Sequence, residues 1–327
     1  MARRRTPSRN ATAYVVGAYV PAGGGFMAYQ LARILHLNLG HPVTVITTGR
    51  ESPDDGIFAY DIRFPSIPEC AMEGAIAQDD ILVCNPKFSD GLLGDRLGCF
   101  KLMYIQGFTT FKLLDMWFDH YVSVSGFVQD FVQSTYALET AVIPPFIIGD
   151  DSTSIAWDLR PANSFVIGLK GKSDGPRRLL ARLRGVVRER APEVEAGIDW
   201  EGSVLLDSGA DKIPQTELFS RLGRARYFLT LSVAEGFGLV PLEAMARGAV
   251  VLGFDGYGGR EYMQPGVNCA VRPYPDIEGV ADDLIAAVKT PGSVAGMGRA
   301  GQLTAAQFNY RRFRTAWVEE FSRAFGV

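Results

Sequence analysis

Cysteine is scarce in this chain. Cys70, Cys84, Cys99 and Cys269 are the four present in 327 residues, and none stands in a CxxC pair or at zinc-ligand spacing. A disulfide framework and a structural zinc site are thereby excluded, and free thiols in a reducing compartment are expected. Histidine is scarcer, with only His36, His41 and His120. No apolar run approaches the roughly 18 to 20 residues that cross a bilayer. The apolar stretch after the basic start Arg3-Arg4-Arg5 is Tyr14-Val15-Val16-Gly17, which reads as a strand and not as a signal core, so a cytoplasmic place is expected. A formal net charge of −3 gives no general pull toward nucleic acid, and at most peripheral contact with a membrane. No GxGxxG follows an opening strand, which disfavours a plain dinucleotide-binding enzyme.

What is present is ordinary globular composition, 47% apolar and 21% charged, with Arg far outnumbering Lys. The length exceeds what one core usually serves, so two domains are expected. Residues 1–12 form a basic, Pro- and Ser-containing start that reads as a flexible tail. Short β-branched runs then alternate with segments of helical period, the pattern of a parallel α/β sheet. Strands are expected near residues 14–20, 43–47, 80–84, 101–105, 121–124 and 141–143. Gly23-Gly24-Gly25 reads as a loop, followed by a helix over 26–39 that Gly40 stops. Pro144-Pro145 and the polar stretch 149–154 mark a linker. The cycle restarts with strands near 164–168, 203–206, 227–231 and 250–254, and helices near 176–190, 216–222, 240–247 and 277–288. An aromatic amphipathic helix over 308–325 ends the chain. The expected division is 13–150, 151–307 and a final helix 308–327 packing back toward the first domain.

The most informative stretch is Ser232-Val233-Ala234-Glu235-Gly236-Phe237-Gly238-Leu239-Val240-Pro241-Leu242-Glu243-Ala244-Met245-Ala246-Arg247-Gly248. It follows a buried strand and opens a helix, so it lies at the carboxyl end of a strand, where open α/β sheets bind ligands. Gly236 and Gly238 strip the loop of side chains so that backbone N–H groups can approach a ligand closely. Pro241 suits the first helical turn. The helix start offers free donors and a partial positive charge suited to phosphate. Glu235 and Glu243, eight positions apart, are acceptor-only carboxylates able to hold hydroxyls at two points of an extended ligand. Singly, either glutamate could simply be a helix-terminus carboxylate.

This stretch resembles the carboxylate-x7-carboxylate motif of retaining glycosyltransferases of the GT-B fold, above all glycosyltransferase family 4. The resemblance continues through Gly258-Gly259-Arg260-Glu261-Tyr262, Gly266-Val267-Asn268 and Pro273-Tyr274-Pro275-Asp276. It reaches back to Gly23-Gly24-Gly25 and to Gly40-His41-Pro42-Val43-Thr44-Val45-Ile46. It implies two Rossmann-like α/β domains whose parallel sheets face a central cleft, and a nucleotide-diphosphate sugar as donor substrate with no other cofactor. By that resemblance Glu235 contacts hydroxyls of the donor sugar and Glu243 those of the ribose. The backbone of Gly236, Phe237 and Gly238 holds the sugar, and the helix start at Leu239 and Val240 faces the diphosphate, which Gly23, Gly24 and Gly25 also approach.

The chain departs from the family pattern in two respects. The Arg and Lys that neutralise the leaving diphosphate are not matched by counting, but Lys170 and Lys172 occupy the corresponding loop and can serve as point charges. Where the family places a His near the reaction centre, this chain has Gln106 in the phrase Tyr104-Ile105-Gln106-Gly107, similar to a YxxQ phrase of a rhamnosyltransferase-like branch. Glutamine can donate and accept hydrogen bonds but is neither acid nor base. Each of the three histidines is expected to be structural. Asp54-Asp55, Asp79-Asp80 and Asp150-Asp151 are not the DxD of metal-dependent transferases, so no metal is expected. The acceptor is left open among glycan, lipid-linked and small-molecule classes, on a face that includes 58–68 and 108–117, the latter read as a helix. The alternatives are a GT-B epimerase and a degenerate protein that binds a sugar nucleotide or partner without turnover.

Overall fold

The structure is a computed structural model that describes residues 7, 8, 10–49, 51–148, 154–170, 175–206 and 213–326. Most of the basic start, part of the expected linker and Lys172 lie outside the described residues. In chain order the elements are β1 (Ala13–Val16), α1 (Gly23–Leu37), β2 (Val43–Thr47), β3 (Ser66–Pro68), α2 (Met72–Ala75), β4 (Ile81–Cys84), α3 (Leu93–Arg96), β5 (Phe100–Ile105), β6 (His120–Ser123), α4 (Gly126–Tyr136) and β7 (Ala141–Val142). They continue with β8 (Phe165–Leu169), α5 (Gly175–Arg190), α6 (Pro192–Ala196), β9 (Val204–Leu206), α7 (Gln215–Arg224), β10 (Tyr227–Thr230), α8 (Leu239–Ala246), β11 (Val250–Phe254), β12 (Cys269–Arg272), α9 (Ile277–Lys289), α10 (Ala295–Ala305) and α11 (Tyr310–Phe325).

The chain divides into two compact units, one of residues 1–145 with 311–327, the other of residues 146–310. The first unit holds a seven-stranded parallel sheet of order β3-β2-β1-β4-β5-β6-β7. Its central strands are continuous apolar runs, AYVV in β1 and ILVC in β4, as parallel strands covered on both faces must be. Lys101 is buried within β5, where its ammonium donates to the carbonyls of Leu97 (2.8 Å) and Cys99 (3.2 Å).

Helix α11 belongs to this first unit. Phe313, Trp317, Phe321 and Phe325, at four-residue spacing, form a buried stripe. Trp317 meets Tyr104 edge-on at 5.0 Å, and Phe325 meets Phe100 at 5.3 Å and His41 at 5.8 Å. His120 of β6 pairs with buried Glu320 of α11, which also takes an ion pair from Arg323. Phe308 lies in the second unit, against Phe237 and Tyr262.

The second unit holds a five-stranded parallel sheet of order β12-β11-β10-β8-β9. One core, built on Ile167, Leu229, Leu252, Leu183 and Leu284, lies between this sheet and α5 and α9. Taking the strands by their place in this unit, the order is 2-1-3-4-5, so the winding reverses between β8 and β10.

Two sequence expectations are corrected. Gly23-Gly24-Gly25 is not a loop but the first turn of α1, which starts three residues before the expected Phe26. A Cβ on Gly25 would lie 2.1 Å from the carbonyl oxygen of Val20, so the helix can begin this close to the β1 turn only with glycine there. The segment 108–117 contains no helix. Asp115 is turned inward, its carboxylate accepting from Gly94 N (2.8 Å) and Trp117 N (3.1 Å), while Tyr121 donates to its carbonyl (2.7 Å). These bonds fix an irregular turn in place of the helical repeat.

Candidate functional site

Open α/β sheets bind ligands beyond the carboxyl ends of their strands, at the point where the winding reverses. In the second unit that point is flanked by Lys170, immediately after β8, and by Glu235, five residues past β10. The two side chains meet: Lys170 Nζ donates to Glu235 Oε2 over 2.5 Å, with the lysine side chain 50% exposed and the glutamate 13%. A cation and a carboxylate therefore stand together where the topology calls for a ligand.

The Glu235 backbone is held on both sides. Its N–H donates to the Gly256 carbonyl (2.8 Å), and its carbonyl accepts from Gly258 N (3.1 Å). Glycine is needed at both contacts. A Cβ on Gly258 would lie 2.2 Å from the Gly236 carbonyl oxygen, and one on Gly256 would be 3.1 Å from the Glu235 Cγ. Gly256 also has φ +60°, a left-handed conformation that favours glycine.

Beyond Glu235, Gly236 is buried and Phe237 packs its ring against Tyr262 at 5.2 Å. Gly238 takes φ +87° and caps α8, offering no side chain to its free N–H groups. Leu239 and Val240 form the half-buried first turn, and Pro241 follows. The start of α8 thus presents donors and the positive end of the helix dipole beside the Lys170–Glu235 pair.

Glu243, on the second turn of α8, is 7% exposed. Its own carbonyl accepts from Arg247 Nη1 at 3.1 Å. Tyr262, absent from the sequence-based site, donates to the Gly238 carbonyl over 2.5 Å. Burial pushes the Tyr262 phenol well above its ordinary range, and the negative charges of Glu235 and Glu243 push it further. It stays protonated and remains a donor, so it fixes the cap of α8. The signal was the phrase Gly258-Gly259-Arg260-Glu261-Tyr262, whose tyrosine carried no assigned role.

In the first unit, Gln106 follows β5 and its Nε2 donates to the Gly24 carbonyl at 3.1 Å. A Cβ on Gly24 would sit 2.6 Å from Gln106 Oε1, so the glutamine occupies the space that the glycine leaves. The N-cap of α1 is Ala22, which makes no capping bond with its side chain. Gln106, Gly23, Gly24 and Gly25 therefore form one polar group at a helix start. The histidines do structural work elsewhere: His41 bonds to the Ala11 carbonyl (2.9 Å) and His36 to the His41 carbonyl (3.2 Å). Among the described residues, no group of three or more His, Cys, Asp or Glu side chains is arranged to hold a metal ion. Nor is any described helix long and apolar enough to cross a membrane.

Comparison with solved structures identifies the architecture. The chain is similar to sucrose-phosphate synthase from Thermosynechococcus elongatus, with TM-score 0.68 and 15% identity over 97% of this chain and 100% of that one. It is equally similar to Anabaena HepE solved with UDP, with TM-score 0.69 and 15% identity over 96% and 100%. A glycosyltransferase from Rickettsia africae follows, with TM-score 0.67 and 14% identity over 97% and 99%. The chain therefore has the GT-B glycosyltransferase fold. Within it, residues 211–304 match the family described as glycosyl transferases group 1, a segment that contains Glu235, Glu243 and Tyr262. A protein of Sulfolobus islandicus filamentous virus (isolate Iceland/Hveragerdi), named as a glycosyltransferase, is 40% identical over 52 residues, 16% of each protein.

Proposed function

We propose that the protein is a retaining glycosyltransferase that moves a sugar from a nucleotide-diphosphate-sugar donor to an acceptor hydroxyl without a metal ion. The observation that carries this reading is the Lys170–Glu235 pair at the β8/β10 reversal, beside the glycine-capped start of α8. Support also comes from HepE, which shares the fold and was solved with UDP and with UDP-glucose.

In this reading the donor diphosphate takes Lys170 and the N–H groups at Leu239 and Val240, the sugar takes the backbone of Gly236, Phe237 and Gly238, and Glu243 takes the ribose hydroxyls. Glu235 holds a sugar hydroxyl next to the breaking bond. The acceptor oxygen attacks the anomeric carbon as the bond to the diphosphate breaks. Its proton passes to the departing phosphate oxygen on the same face of the ring. The protein's task is then electrostatic: to stabilise the departing diphosphate and the oxocarbenium-like centre. No side-chain acid or base is required, which accommodates Gln106 in place of histidine. Gly23, Gly24, Gly25 and Gln106 are assigned donor contacts on the same basis, their chemistry being that of a helix start with an amide beside it, and Lys172 a second charge for the diphosphate. A carbohydrate, lipid-linked or small-molecule acceptor and a cytoplasmic place are part of the same proposal.

The test is a thermal-shift screen against UDP, GDP, dTDP and ADP sugars, followed by NMR of the product anomer with and without EDTA. Stabilisation by one donor, release of its nucleotide and an unchanged anomeric configuration in excess EDTA are expected. An inverted product overturns the retaining mechanism, and loss of turnover restored by magnesium or manganese overturns the metal-independent one. Donor binding with no transfer or hydrolysis would mark a degenerate binder.

A further inference from the structure

Tyr257 has a backbone that L-residues rarely adopt, φ +64° and ψ −62°. The hydrogen bond from Gly258 N to the Gly256 carbonyl, 2.9 Å, closes a three-residue γ-turn centred on it. Gamma-turns of positive φ are rare and strained in L-residues. Glycine would take this conformation without that penalty, and glycines stand on both sides, yet the central position carries a bulky aromatic. Strain of this kind persists only where its surroundings impose it, and it concentrates at functional sites.

Those surroundings are visible. The Asp255 carboxylate accepts from Tyr257 N (3.0 Å) and pairs with Arg260 Nε (2.6 Å). The Arg260 guanidinium lies 4.9 Å from the centre of the Tyr257 ring, a cation–π contact. Asp255 and Arg260 thus hold the residue by its N–H and by its ring. The turn's other side is the Glu235 backbone: Glu235 pairs with Tyr257 in an isolated parallel bridge, bonded to Gly256 and Gly258.

We infer that Tyr257 is a positioning residue for Glu235, its strained turn fixing the backbone from which the Glu235 carboxylate projects. This rests on the reading of Glu235 as the donor-sugar contact. A preorganised carboxylate loses little on reaction, and a small displacement of such a group costs rate far more than it costs binding.

The experiment compares the full-length parent with Tyr257→Gly and Tyr257→Phe, measuring melting temperature, nucleotide Kd, KM and kcat. Tyr257→Phe retains the β-carbon, the ring and the Arg260 contact, and should match the parent. Tyr257→Gly relieves the strain, so its melting temperature should be unchanged or higher. Its kcat should nevertheless fall at least about tenfold, with nucleotide Kd and KM within about twofold. Parent-like kcat in Tyr257→Gly overturns the inference. So does a lowered melting temperature alongside the lost rate, which would be mere structural damage. An equal loss in Tyr257→Phe also overturns it, because the phenol hydroxyl would then itself touch substrate. A parent that neither binds nor turns over any nucleotide sugar removes the functional reading, and the melting temperatures still decide whether the turn is strained.

Discussion

Lys170 Nζ and Glu235 Oε2 stand 2.5 Å apart, joining the loop after β8 to the loop after β10. An ion pair whose lysine is half exposed is screened by water and salt, and such pairs contribute little to stability. Lys170→Ala should therefore leave the melting temperature within about two degrees of the parent. If Lys170 meets the departing diphosphate, the same substitution should lower kcat by roughly 10²-fold or more, as expected for loss of a donor to developing negative charge. Lys170→Arg keeps the charge and should recover part of that loss. A Lys170→Ala enzyme with the parent's kcat would remove Lys170 from the chemistry.

A second expectation concerns Gln106 and Gly24. Gly24→Ala places a methyl 2.6 Å from the present position of Gln106 Oε1, so the glutamine must move. Alanine is also the better residue inside a helix, and stability should hold or rise. Gln106→Ala removes the amide outright. If the amide is the functional group, each change lowers turnover, and the double variant is no worse than Gln106→Ala alone. A double-mutant cycle in kcat/KM measures this, and additive losses would show that the two residues act separately.

Much of the local structure around Glu235 and Glu243 was legible because it lies in one continuous stretch. Glu235 to Val251 reads as strand end, glycine loop, helix start and next strand, and the elements fall within a residue or two of that reading. The winding reversal at β8 and β10 could not be read, since strand order depends on packing between distant segments. Helix α10 escaped because it contains glycines, poor helix formers. Its Gly298 and Gly301 serve contact: a Cβ on Gly298 would lie 2.7 Å from the Gly248 carbonyl, and one on Gly301 would lie 3.2 Å from Met245. The start of α1 escaped for the same reason, three glycines reading as a loop. In 108–117 the error ran the other way. The richness in aromatics reads as a packed helix, but Leu113 and Trp117 are exposed while Asp115 is buried, an arrangement that no apolar stripe predicts.

The cysteines give a prediction in pH. Burial raises the Cys99 thiol to about 11 and Cys269 to about 12, and pushes Cys84 well up, while Cys70 is exposed. Above about pH 9 the thiols of the unfolded chain ionise, whereas the buried ones keep their protons. The unfolded state then binds fewer protons than the folded one, and stability falls as pH rises through that window. Between pH 8 and 10 each buried thiol should remove about 1 kcal/mol, read from urea midpoints. Cys269→Ala should flatten the slope. In the folded protein at pH 8 a thiol reagent should modify Cys70 quickly and the other three only on unfolding. Rapid modification of all four would contradict the burial.

In the proposed reading the two glutamates of the motif separate binding from chemistry. Glu243 is almost fully buried on α8, and in the proposed reading it holds hydroxyls far from the bond that breaks. An interaction made equally in ground and transition states changes affinity without changing kcat. Glu243→Gln should weaken nucleotide binding by about 1 to 3 kcal/mol, the usual worth of a hydrogen bond to a charged group, and leave kcat close to the parent's. Glu235 pairs with Lys170, and in the proposed reading its charge also favours the oxocarbenium-like centre. Glu235→Gln keeps the shape and a hydrogen-bond acceptor but removes the charge, so kcat should fall more than KM rises, while free nucleotide still binds. Were both carboxylates only helix-terminus groups, each variant would lose a little thermal stability and nothing in rate. Isothermal titration with free nucleotide, set beside steady-state kinetics for the two single variants, separates these outcomes. If both bind and turn over like the parent, the assignment of this loop to the donor is wrong.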